Sequence, residues 1–356
     1  MGKKKTKQSS NSKRKKKSSN NKPASSSSLY ANFVSEAGPG CYIARRDASP
    51  PWLLEWEDVD PNEFSTKEEI PDVAIDTDEN TLSVCNIDEC HKVAYVTVYE
   101  TKVVGADGVE LRQGISTDNQ GVTQSCATFI VLCPPRVFVH LCVLAPTGNK
   151  DIVDVKIESD VSRWQQHPKP NDEHPFRIGF PLGKIPVNGG DSDNMDSENP
   201  SFLCTQGENG ELTHFFSGNL HAIDFQCPVG TELLAVADGI VTDAKDSNTL
   251  TGISVNNLFE WNSIILQYVH IQRSLVKVGQ VIKKGQVIGY SGSVGFSPEP
   301  HLHFSAFRSS DPTAPTVRVL FDGEAGNDAA AGAGHEAKPF LPRAGKQYNT
   351  RGLLQI

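Results

Sequence analysis

The sequence predicts a mostly β protein: an N-terminal β-sandwich-like domain, a second β-sheet domain and, ahead of both, a disordered basic tail. Short β-branched and aromatic runs, VAYVTVY (93–99), TFIVL (128–132), VFVHLCVL (137–144) and IVDVKI (152–157), are separated by Gly-, Asp- and Pro-containing turns, the pattern of an antiparallel sandwich. A second series, LLAVA, GIVTDA, SIILQYVHI and VIGYSG, follows Phe202 with glycine at nearly every turn and no amphipathic helix. The opening MGKKKTKQSSNSKRKKKSSNNKPASSSS is basic, low in complexity and without the apolar residues a core needs.

These observations divide the chain. Residues 1–29 are the tail and 30–75 an irregular linker, in which Trp52 and Trp56 of PPWLLEWEDVD suggest a docked segment. The sandwich-like domain covers 76–165, a Pro-, Gly- and Asp-rich linker 166–200, the second domain 201–310 and a C-terminal extension 311–356. Within the extension, AAAGAG reads as a flexible loop and PFLPRAGKQY as a segment that packs back on a domain.

The formal net charge is −9, but ten of the 34 Lys and Arg lie in the tail without an acidic partner, leaving 24 against 43 Asp and Glu. An acidic body excludes an extended phosphate-binding surface, which needs clustered Lys and Arg. In the tail, KRKKK at 13–17 suits nuclear localisation or polyanion contact, and MGKKKT fits N-myristoylation at Gly2, which with the polybasic run would place the protein on an anionic membrane. The Lys-rich start leads into no apolar signal region, and the most apolar stretch, 127–146, is broken by Pro134, Pro135 and Arg136. The expectation is therefore a cytoplasmic or nuclear protein with no transmembrane segment. Its eight cysteines form no CxxC pair and are expected as reduced thiols.

Residues able to carry chemistry concentrate in the second domain: His214, His221, Asp224, His270, His301 and His303. In SPEPHLHF (297–304), strand alternation puts His301 and His303 on one face and Leu302 on the other. A catalytic zinc site needs three protein ligands and one open position, and imidazole with carboxylate is a suitable donor set. His140, alone on a strand, is read as structural, and DSDNMDSE lacks the glycine and terminal glutamate of a calcium loop.

The runs CTQGENGELTHFFSGNLHAIDFQCPVGTELLAVADGIV and VKVGQVIKKGQVIGYSGSVGFSPEPHLHF resemble the lysostaphin or LytM type of zinc metallopeptidase, family twenty-three of the metallo class, over roughly residues 201–310. The resemblance implies the duplicated-hybrid-motif β-sheet fold of those peptidases. It also implies Zn2+ held by His214, Asp224 and His303, with His270 and His301 as the catalytic pair that activates water and stabilises the oxyanion. The substrates it implies are peptides, peptidoglycan cross-links or other Gly-rich sequences. Two departures stand out. Simple family members place a histidine four residues before the aspartate, where this chain has Leu220, so His221 remains the alternative to His214. WNSIILQYVHI also lacks the turn and partial strand that normally precede the YxH motif, which predicts either a truncated hairpin that displaces His270 or a segment missing from the sequence there. The competing reading is a non-catalytic regulatory or interaction protein that keeps the fold and the zinc.

Overall fold

The computed structural model describes residues 39–60, 70–148, 151–164, 175–186, 200–208, 213–214, 219–264, 267–308, 314–323, 338–349 and 352–354. The basic tail and its localisation, polyanion and lipid-anchor motifs lie outside the described residues, as do DSDNMDSE and AAAGAG.

Ten strands build the first half: β1 (Cys41–Arg45), β2 (Glu55–Asp58), β3 (Val73–Asp76), β4 (Thr81–Asn86), β5 (Lys92–Tyr99), β6 (Lys102–Val104), β7 (Gly114–Thr117), β8 (Thr123–Cys133), β9 (Val137–Ala145) and β10 (Ile157–Arg163). One sheet runs β10-β5-β8-β7 with β1 parallel to β8, and the other runs β2-β9-β4-β3 with β6 on β9. The alternation seen in the sequence explains the packing. Ala94, Val96, Val98, Phe129 and Val131 of the first sheet meet Leu82, Val84, Val139 and Leu141 of the second in one buried cluster. Turn chemistry fixes the ends of the strands: between β3 and β4 the Asp76 carboxylate accepts from Asp78 N and Glu79 N, and Asn80 takes φ +56°.

Two expectations need correction. The stretch read as an irregular linker contributes β1, β2 and most of β3, and Trp52 packs against Tyr42 and Phe129 with centroids 5.5 and 5.4 Å apart. The strand expected over 152–157 begins only at Ile157. Asp151 accepts from Ile152 N and starts a 3-10 turn over Ile152–Asp154, and pairing with β5 starts where Ile157 faces Val98.

The second half holds β11 (Phe176–Ile178), β12 (Phe202–Gln206), β13 (Ile223–Gln226), β14 (Glu232–Leu234), β15 (Gly239–Ile240), β16 (Ala244–Lys245), β17 (Thr251–Gly252), β18 (Ser263–Ile264), β19 (Tyr268–Val269), β20 (Ile271–Ser274), β21 (Val281–Ile282), β22 (Val287–Ser291), β23 (Gly295–Phe296) and β24 (His301–Phe304). Three C-terminal strands complete it: β25 (Val319–Phe321), β26 (Gln347–Asn349) and β27 (Gly352–Leu353). The main sheet runs β16-β18-β19-β24-β13-β12-β26-β27, with β14-β22-β20 as a smaller sheet beside it. Ile223, Phe225, Leu302 and Phe304 point into the core below the main sheet, where they join Ile178, Phe180 and Leu182 from the stretch read as a linker. PFLPRAGKQY does pack back: Phe340 stacks on Tyr348 at 5.3 Å, and β26 pairs with β12. All eight cysteines are free, seven of them buried, in line with the reduced thiols expected. Among the described residues no helix is long and apolar enough to cross a membrane.

Phe129, fully buried at the centre of the sandwich, carries a stability prediction. Phe129→Ala is expected to destabilise the protein by about 3–5 kcal/mol, read as a lowered midpoint in urea denaturation.

Candidate metal centre and histidine pair

The site is built on the register between β13 and β24. Asp224 lies opposite His303 and Gln226 opposite His301, while Phe225 faces Leu302. Facing residues on paired strands share a side of the sheet, so core residues and site residues separate cleanly. Asp224 and His303 rise on the face opposite the Phe225 and Leu302 core.

His214 joins them from the loop after β12. Ligand atoms of His214, Asp224 and His303 lie within 4.8 Å of one another, and all three residues are buried. His214 Nδ1 donates to the Gly207 carbonyl at 3.0 Å, which fixes the tautomer and leaves a lone pair on Nε2. That lone pair faces Asp224 Oδ2 at 3.2 Å, and His303 Nδ1 is 2.9 Å from Asp224 Oδ1. His214 Nε2 and Asp224 Oδ1 are nonetheless buried without a hydrogen-bond partner. Inward-facing lone pairs around a buried carboxylate are unfavourable unless a cation lies among them. The donor set therefore fits a divalent metal.

Gln206, which the sequence reading missed, braces this arrangement. Its Nε2 donates to Asp224 Oδ2 at 2.8 Å, and its Oε1 accepts from the backbone N–H groups of Thr213 and His214 at 2.6 and 3.1 Å. One buried amide thus holds the carboxylate and the turn that presents His214. Its only mark in the sequence is its place in CTQG, at the end of a strand.

His270 and His301 lie beside the trio, their ring centroids 4.5 Å apart, with His270 6.2 Å from His303. His270 Nδ1 donates to the Val294 carbonyl at 2.7 Å and His301 Nδ1 to the Glu299 carbonyl at 2.8 Å, so in each neutral ring Nε2 is the free base. Burial above all, then the neighbouring His301 and His303, push the His270 pKa well below its ordinary value. The short hairpin is present: Ser263 pairs with Val269 and Ile264 with Tyr268. Its shortness does not carry His270 away from His301. Gln267 and His270 instead take positive φ, +52° and +65°, conformations uncommon outside glycine. His221 stands apart, with Nδ1 3.0 Å from Glu208, a carboxylate that also accepts from Arg318 at 2.6 Å.

Residues 218–315 match Peptidase family M23. Asp224, His270, His301 and His303 fall inside that span and His214 just before it. The chain is 40% identical over 94 residues to the glycyl-glycine endopeptidase ALE-1 of Staphylococcus capitis, covering 26% of each chain. It is 38% identical over 96 residues to lysostaphin of Staphylococcus simulans, covering 26% of this chain and 19% of that protein. To the peptidoglycan DD-endopeptidase ShyC of Vibrio cholerae it is 37% identical over 99 residues, covering 27% of this chain and 22% of the relative. The chain thus spans about a quarter or less of the length of these relatives. Within that span the likeness is unambiguous, and residues 218–315 constitute a Peptidase family M23 domain of the lysostaphin/LytM type.

Proposed function

We infer that the protein is a zinc-dependent metalloendopeptidase, with His214, Asp224 and His303 as the metal ligands and His270 and His301 as the catalytic residues. The observation that carries this reading is the gathering of ligand atoms of the buried His214, Asp224 and His303 within 4.8 Å of one another, with His214 Nε2 buried and without a hydrogen-bond partner. Two imidazoles and one carboxylate with an open position are the ligand type of hydrolytic zinc sites. When bound, zinc supplies Lewis-acid polarisation of the scissile carbonyl and of the attacking water.

The chain's own residues supply the proton traffic. His301 presents Nε2 as the base that takes a proton from the attacking water and returns it to the departing amine nitrogen. His270 is neutral at rest because burial disfavours its charged form. Negative charge growing on the carbonyl oxygen offsets that penalty, so a proton taken up from solvent at His270 Nε2, donated to that oxygen as a hydrogen bond, is favoured in the transition state over the ground state. The relatives named for glycyl-glycine and peptidoglycan cleavage make peptides of small residues, including peptidoglycan stems and bridges, the first substrates to test.

The protein is expected to bind zinc and to cleave pentaglycine or peptidoglycan-derived peptides, with activity abolished by a chelator and restored by zinc. His301→Ala is expected to keep zinc and lose roughly 100-fold or more in kcat. A zinc-loaded wild type that cleaves none of these peptides would sink the enzymatic reading in favour of a metal-binding interaction protein.

Zinc affinity, read by competition with a chromogenic chelator, separates the ligand assignments. His214→Ala and Asp224→Ala are expected to abolish tight binding and His221→Ala to leave it intact. Gln206→Ala is expected to weaken binding by roughly 10- to 100-fold through loss of the brace on Asp224.

A further inference from the structure

The first sheet of the sandwich does not stop at β7. Residue 252 pairs with Ser116 and Thr251 with Thr117, so β17 from the second half extends that sheet, and β17 pairs in turn with β23. The approach is close: Gly252 has φ +107°, and a Cβ there would lie 2.2 Å from the Ile115 carbonyl oxygen. Beneath β17, the loop that follows it is sealed onto the sandwich by Ile253 and Val255 against Ile43, Tyr95 and Ile130.

Four groups, all buried, order that seal into one directional chain. Val255 N–H donates to Thr97 Oγ1 at 3.0 Å, Thr97 pairs with Thr128 Oγ1 at 2.9 Å, and Thr128 donates to the Ile253 carbonyl at 2.5 Å. Since Thr128 spends its only proton on Ile253, Thr97 must be the donor between the two hydroxyls.

On its other side β17 supports the segment on which both non-ligand histidines lean. Gly295 N donates to Leu250 O, Ser297 N to Gly252 O, and Thr251 Oγ1 to Ser293 O. Within that segment Val294 O receives the His270 Nδ1 proton, and the buried Ser297 hydroxyl lies 3.2 Å from His301 Nδ1. The second half therefore does not orient its histidine pair by itself.

We propose that the β-sandwich is a positioning platform for His270 and His301, acting through β17 and β23, with Thr128 and Thr97 as positioning residues. The inference rests on the catalytic reading of the two histidines for its activity readout, but not for its structural one. Thr128 lies on β8, away from metal and substrate. Holding a proton carrier in place through a packed network is worth rate and not substrate or metal affinity.

The test is Thr128→Val, which keeps the shape and removes the hydroxyl, against Thr128→Ser, which keeps the hydroxyl. In the zinc-loaded full chain, Thr128→Val is expected to lower kcat by roughly 10-fold or more with KM and bound zinc unchanged, and Thr128→Ser to restore it. By imidazole NMR, the His270 Nδ1–H is expected to exchange with solvent faster in Thr128→Val than in wild type or Thr128→Ser. If wild type cleaves nothing, the peptidase reading falls and the NMR comparison still decides the coupling. Should Thr128→Val not fold, Asn257→Ala takes its place, removing the bonds from Asn257 Nδ2 to Ser116 Oγ and the Gly252 carbonyl. Unchanged His270 Nδ1–H exchange in the folded variant overturns the proposal.

Discussion

The site depends on one register. Asp224 faces His303 across an antiparallel pair whose alternate residues, Phe225 and Leu302, are buried in the core. A one-residue slip would turn both ligand-type side chains into the core and push phenylalanine and leucine out. The hydrophobic core therefore sets the position of the polar centre, and the centre has little freedom to adjust. The other imidazoles of the site need fixing of another kind. His214 receives it from the Gly207 carbonyl and Gln206, and His270 and His301 receive it from backbone carbonyls. Each of these three imidazoles is tied at Nδ1 to a main-chain acceptor, a device that selects the tautomer without adding charge.

A buried carboxylate among imidazoles is costly in an apolar setting, and here it sits in a dense polar shell. Gln206 covers one oxygen of Asp224 and leaves the other facing the centre. The Glu208, His221 and Arg318 group lies outside that shell, the Glu208 carboxylate facing both His221 Nδ1 and Arg318. This separation explains how two histidines seven residues apart take different parts: His214 faces Asp224, and His221 faces Glu208, which Arg318 also pairs.

Much of this was legible in the sequence, because alternation is a local signal. The sandwich strands and the shared face of His301 and His303 follow from period two alone, and the gathering of His214, Asp224 and His303 followed from the resemblance of their motifs. What escaped were features set by partners distant in the chain. β1 reads as irregular until β8 supplies its ladder, and the 3-10 turn at Ile152 needs the Asp151 side chain to compete with strand pairing. The displacement expected of His270 did not allow for a left-handed backbone at Gln267 and His270, in a hairpin that leaves the ring beside His301. Gln206 and the Thr97–Thr128 pair carry no motif, since an amide or hydroxyl becomes informative only when its partner is known.

The continuity of β7, β17 and β23 also bears on how the molecule comes apart. A family match confined to residues 218–315 suggests a unit that can be cut out. Cutting it out would strip β17 of its β7 neighbour and expose Ile253, Val255 and Phe296, which are now covered or packed against the sandwich. Bare strand edges beside apolar side chains are templates for self-association. The two halves are thus expected to unfold together, and the evolutionary module and the cooperative folding unit of this chain have different borders.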